Sequence, residues 1–243
     1  MQWVRDVGDP WTIKGRVDRR PRPGSDLAAD DAIESETSKV AHHGIVMALD
    51  HLGSVVDAMV SDEPMRHYAP LTALRTVLMS SVRVRWLLEP NSSVERQLRG
   101  LQIGHVNLDE QRKAFNTLSS KPANAELEQQ RQQIVSEFAS QMTALEARAT
   151  ALGATKLNPP PDTVSMLQKM VAVNSTDGFA VLQLWRMGSA AAHGYFWLDT
   201  QRPNPHLFDE DGFDFALYGA TQFVTQAMQL YERRAGLNIS ATP

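Results

Sequence analysis

Arg186 and His193 are the pair of residues in this 243-residue chain best placed to do chemistry. An arginine stays charged at any working pH and can hold an anion, while a histidine titrates near neutrality and can give or take a proton. Seven residues are two helical turns to within about 20°, so on a helix both side chains project from one face. Between them run Gly188, Ser189, Ala190, Ala191 and Ala192, a helix slim enough for another backbone to come into close contact. Tyr195, Phe196 and Trp197 follow; packing at the end of a bundle accounts for such a run, and base stacking falls only to an exposed ring, Tyr195. Arg75, Met79 and Arg83 recur four apart, which permits a positive stripe along one helix. The alternative is that these guanidiniums pair with neighbouring carboxylates such as Asp50 and Asp57.

Other chemistries lack their residues. There is no cysteine, and therefore no disulfide, zinc ribbon or thiol nucleophile. Glycine-rich dinucleotide loops, phosphate loops and nucleophile elbows are missing too, and no histidine has a glutamate three positions before it, as di-iron bundles require. His42 and His43 are adjacent and project about 100° apart on a helix, which suits a polar face better than one shared ion. Neither a metal site nor a cofactor is expected. A net charge of -4 argues against a nucleic-acid coat protein, and no apolar run reaches the roughly 18 residues a membrane span needs. A cytoplasmic protein is expected, with no membrane association.

The elements that must position these residues read as helices. Ile45, Leu49, Leu52, Val56 and Met59 repeat at spacings of three and four, predicting a helix over 37–61. A second, over 69–89, ends at Pro90 and forms an antiparallel hairpin with the first. Asn91 or Ser92 caps a third, which Lys121 and Pro122 separate from a fourth over 123–152. That fourth helix is rich in Glu, Gln and Arg with a thin apolar seam, so most of it is expected to be wet. Further helices are expected at 162–173, 177–193 and 210–235. No segment alternates as a strand does. The fold expected is an all-α multi-helix bundle, with the helices at 37–61, 69–89, 177–193 and 210–235 at its centre. Residues 1–34 read as a basic arm rich in Pro and Gly, held by Trp3 and Trp11; 35–243 read as a single helical domain in which 122–158 form a projecting helix and linker.

On the Arg186 and His193 spacing, the sequence resembles the HEPN superfamily of helical proteins, in which four to six residues separate an Arg from a His in or near a late helix. Six residues intervene here. The stretches from Pro70 to Arg75, from Trp86 to Pro90 and from His193 to Tyr195 also resemble a group of uncharacterised actinobacterial and phage helical proteins. The resemblance implies a HEPN-like bundle and a homodimer that cleaves RNA without metal, in a toxin or defence role, at a site shared by two protomers. His193 would be the acid and base, and Arg186 the phosphate clamp, with Arg75, Arg83 and Tyr195 as RNA contacts. Gly194 should end the helix, leaving carbonyls beside the imidazole that favour its protonated form. Many catalytic members have a polar residue directly after the Arg, where this chain has Met187. Two other readings stay open: a core histidine with Arg186 bonded to a carboxylate, and a catalytically silent adaptor that binds a protein partner such as an antitoxin.

Overall fold

In the computed structural model, residues 2–12, 18–32, 35–117, 124–171, 176–202 and 204–238 are described. All regular structure among them is helical. After a π-helical turn at Val4–Gly8 come α1 (Asp9–Thr12), α2 (Asp26–Asp31), α3 (Thr37–Val60), α4 (Ala69–Leu88) and α5 (Ser93–Thr117). Then follow α6 (Ala125–Ala151), α7 (Thr163–Met170), α8 (Thr176–His193), α9 (Trp197–Thr200) and α10 (Glu210–Ala235). None of these helices is long and apolar enough to cross a membrane. The expected break at Lys121 and Pro122 lies outside the described residues, and the helix expected over 162–173 ends earlier, at Met170, because the backbone turns extended at Val171.

Helix α4 is the hub, packed against α3, α10 and α8. Its buried residues, from Leu71 and Leu74 through Val77, Leu78 and Val82 to Leu88, supply apolar surface to several neighbours. On α3 the three-and-four stripe of Ile45, Leu49, Leu52 and Val56 is buried as its spacing requires. Gly44 permits a close approach of α3 to α4, because a Cβ there would lie 2.5 Å from Val84 Cγ2. Arg234 of α10 donates to the carbonyls of Leu88, Glu89 and Pro90, satisfying the end of α4. Among the described elements, helix α6 packs on α5 alone, through contacts such as the edge-on pair Phe115 and Phe138.

The N-terminal segment is more closely built into the body than a pinned arm. Trp11 and Leu27 are buried, and Trp3 is half-buried. Trp11 stacks on His42 at 5.8 Å and meets Tyr231 edge-on, with the Arg19 guanidinium 4.5 Å above it. Arg19 also donates to buried Glu232 at 2.8 Å, its backbone carbonyl accepts from Tyr231, and Arg22 N–H donates to the Ala235 carbonyl. Arg20 pairs with Asp18 on the surface. Lys14 and Arg16 lie outside the described residues.

Burial beneath Trp11, with Arg19 and His43 nearby, holds the His42 pKa below its ordinary value. In the fold the ring is therefore neutral at pH values where an unfolded histidine, titrating near about 6.5, takes up a proton. The contribution is complete above that value and is lost as the pH falls through it. Urea midpoints should accordingly drop between pH 7.5 and pH 5.5, and His42→Phe should lessen the drop. An equal drop in that variant would assign the pH dependence elsewhere.

Candidate functional site

Arg186 and His193 lie on α8, and both are exposed. Neither has a hydrogen-bond or ion-pair partner among the described residues, so the core-histidine arrangement, with Arg186 on a carboxylate, is not the one adopted. Exposed Phe179 precedes Arg186 by the same seven residues, giving one outward line of Phe179, Arg186 and His193. Gly194 closes the helix with φ +68°; its N–H reaches the Ala191 carbonyl at 3.4 Å and the Tyr195 N–H reaches that of Ala190 at 2.9 Å. This paired capping is the reason glycine is needed there, and it turns the chain sharply after His193. Tyr195 and Phe196 are left 58% and 82% exposed, and the Tyr195 ring lies 5.8 Å from His193. Only Trp197 of the aromatic run turns partly inward.

The slim face of α8 meets α4 of the same chain. A Cβ on Gly188 would lie 2.4 Å from Arg75 Cβ and 2.7 Å from the Leu71 carbonyl oxygen, so a close seam exists and is intramolecular. Arg75 is committed to it: Nε donates to Ser189 Oγ at 2.9 Å, and the guanidinium lies 4.3 Å from the Trp185 ring centre. Ser189 sits within about 60° of both Arg186 and His193 around the helix, which puts the head of Arg75 beside the pair. Arg83 is exposed, eight residues and so about 12 Å further along α4. His193 and Tyr195 are thus neighbours, Arg75 reaches Ser189 on the helix that carries Arg186 and His193, and Arg83 stands apart. Asp50 and Asp57 are exposed and form no ion pair with the α4 arginines.

Beside the Arg186 line a cleft of about 260 Å³ opens between α8, α9 and the start of α10. Gln183, Met187, Trp197, Arg202, Asp209 and Phe215 line it. The Arg202 side chain is only 4% exposed. Two of its N–H groups face Nδ1 and the carbonyl of His67, Asp199 lies 3.8 Å away and accepts from the Tyr68 hydroxyl, and Nε is buried without an acceptor among the described residues. Asp209 caps α10 by accepting from the Gly212 N–H. No element was expected between the helices at 177–193 and 210–235, so this cleft was not anticipated. One signal was present: Arg202 is the only Lys or Arg between Arg186 and Arg233. Among the described residues no three or more His, Asp or Glu side chains gather as a metal site would require.

Comparison with known proteins gives no match: no family model fits the chain, and no curated protein or solved structure matches it.

Proposed function

We propose that this protein is a HEPN-like endoribonuclease that works without a metal, in a toxin or defence role, as a homodimer in the cytoplasm. The observation that carries the proposal is the joint exposure of Arg186 and His193 on one face of α8, with no hydrogen-bond or ion-pair partner among the described residues that would explain them structurally. In the reaction, a His193 imidazole removes the proton from a ribose 2′-hydroxyl, and the 2′-oxygen attacks the adjacent phosphorus. The bond from phosphorus to the 5′-oxygen breaks, and a protonated His193, supplied by the second protomer, gives that oxygen its proton. Arg186 holds the phosphate as it gathers negative charge. Arg75 adds positive potential from one side, and Tyr195 offers a ring for stacking.

Purified protein should cut labelled single-stranded RNA in EDTA, leaving 2′,3′-cyclic phosphate ends. Arg186→Ala and His193→Ala should each lose at least about 100-fold in rate, the scale of a lost acid, base or charge clamp. Because both side chains are exposed, stability should stay within about 0.5 kcal/mol of the parent. Light scattering should give twice the chain mass. Equal cleavage by all three proteins would assign it to a contaminant and overturn the proposal.

A silent adaptor, recruiting a protein partner such as an antitoxin, is the second reading. It is favoured by half-buried Met187, which lines the cleft where a polar residue would steady Arg186, and by the polar faces that α6 leaves uncovered.

A further inference from the structure

We infer that the cleft between α8, α9 and α10 is a guanine-binding site. For its occupant the inference rests on the RNA-cleavage proposal. The first support is position. Gln183 and Met187 line the cleft, and Arg186 lies between them in sequence, about 60° around the helix from Gln183. A nucleotide whose phosphate meets Arg186 therefore has its base within reach of the cleft.

The second support is shape and apolar character. Ligand pockets generally run from about 300 to 1,000 Å³, so 260 Å³ suits a single flat heterocycle and excludes most larger ligands. Trp197, Phe215 and Met187 supply apolar surface for the faces of such a ring.

The polar groups select the base. Arg202 can only donate, and a buried Nε–H without an acceptor is costly unless a ligand provides one. As a carboxylate, Asp209 can only accept, and the Gly212 N–H occupies one of its roughly four lone-pair positions. The matching base must offer adjacent donors to Asp209 and an acceptor to the Arg202 Nε–H. Guanine does, with N1–H and the N2 amino group on its pairing edge and O6 and N7 on its major-groove edge. Adenine and cytosine each present an acceptor next to their single amino donor, and uracil has one ring N–H between two carbonyls. Gln183 and Gln201, each able to donate and accept, complete the polar side chains of the lining without changing that preference.

The test uses the full chain, with guanosine, adenosine, cytidine and uridine 5′-monophosphates and inorganic phosphate as separate probes. Binding is followed by the indole N–H resonance of Trp197, assigned through Trp197→Phe. Guanosine monophosphate should shift that resonance with at least tenfold tighter apparent affinity than any other probe. Asp209→Asn should lose at least tenfold of it with an unchanged melting midpoint, because asparagine caps a helix as well as aspartate does. Equal shifts from all four nucleotides, a response to phosphate alone, no shift at millimolar guanosine monophosphate, or an unaffected Asp209→Asn variant would each overturn the inference. RNA cleavage by the same preparation separates the two proposals. Selective, Asp209-dependent binding without cleavage supports the guanine site and removes the ribonuclease; cleavage without selective binding does the reverse.

Discussion

Asp30→Ala should destabilise the fold by about 3–5 kcal/mol, the cost of leaving a buried charge without its partner. Asp30 and Arg96 are both almost wholly buried where α2 meets α5. Arg96 donates to Asp30 through two nitrogens, at 2.6 and 3.0 Å, and its remaining fork reaches the carbonyls of Pro90 and Asn91. Ser93 Oγ donates to the same carboxylate. Removing Asp30 therefore strands the guanidinium and one hydroxyl together, beneath side chains that admit little water. The contrast is Glu95→Ala, which breaks the surface pair of Arg99 and Glu95 and should cost less than about 1 kcal/mol. Urea titrations of the two variants would measure the difference. A loss below about 1 kcal/mol for Asp30→Ala would mean that Arg96 finds solvent when unpaired.

Gly188→Val should cost about 3 kcal/mol or more, at the upper end of what overpacking does. The first atom beyond the backbone would already overlap Arg75 Cβ and the Leu71 carbonyl, and a carbonyl within a helix cannot swing aside as the tip of a long side chain can. Relief requires α8 to move off α4, and that movement takes Ser189 away from Arg75. Gly53→Ala provides the opposite case. Nothing lies within 4 Å of a Cβ at that α3 position, so alanine should stabilise by about 0.5–1 kcal/mol through the smaller freedom of the unfolded chain. Thermal melts of both variants test the pair, and a Gly188→Val protein that melts with the parent would show that the α4–α8 crossing is loose.

The helices could be read in the sequence because their limits are local. Pro64 and Pro90 fall in the breaks after α3 and α4, Ser92 accepts from Glu95 N–H at the start of α5, and the three-and-four stripes face inward as spacing alone demands. The residues at 188–192 likewise announced a close neighbour, but slimness cannot say whether that neighbour belongs to the same chain. The neighbour is α4, so a second copy is not needed to fill this seam, and the proposed dimer must use the outward line of α8. The buried role of Arg96 was not legible, since nothing local distinguishes an arginine aimed at solvent from one aimed at an aspartate 66 residues away. The cleft was hidden for a related reason. It is assembled from three helices and a connection without period, and its polar members share no motif spacing.

The ties between the ends of the chain also govern how it is made. Arg19 and Glu232 are 213 residues apart, and Tyr231 and Arg19 are 212 apart. At roughly 5–20 residues per second, on the order of 10–40 s separate the synthesis of the first partner from that of the second. For that interval the segment around Trp11 and Leu27 has no α10 to rest on, whatever hairpin α3 and α4 have already formed. Its docking on α10 is a late step, and the nascent chain carries an indole without its Tyr231 contact and an Arg19 without Glu232 until the last turn of α10 has been made.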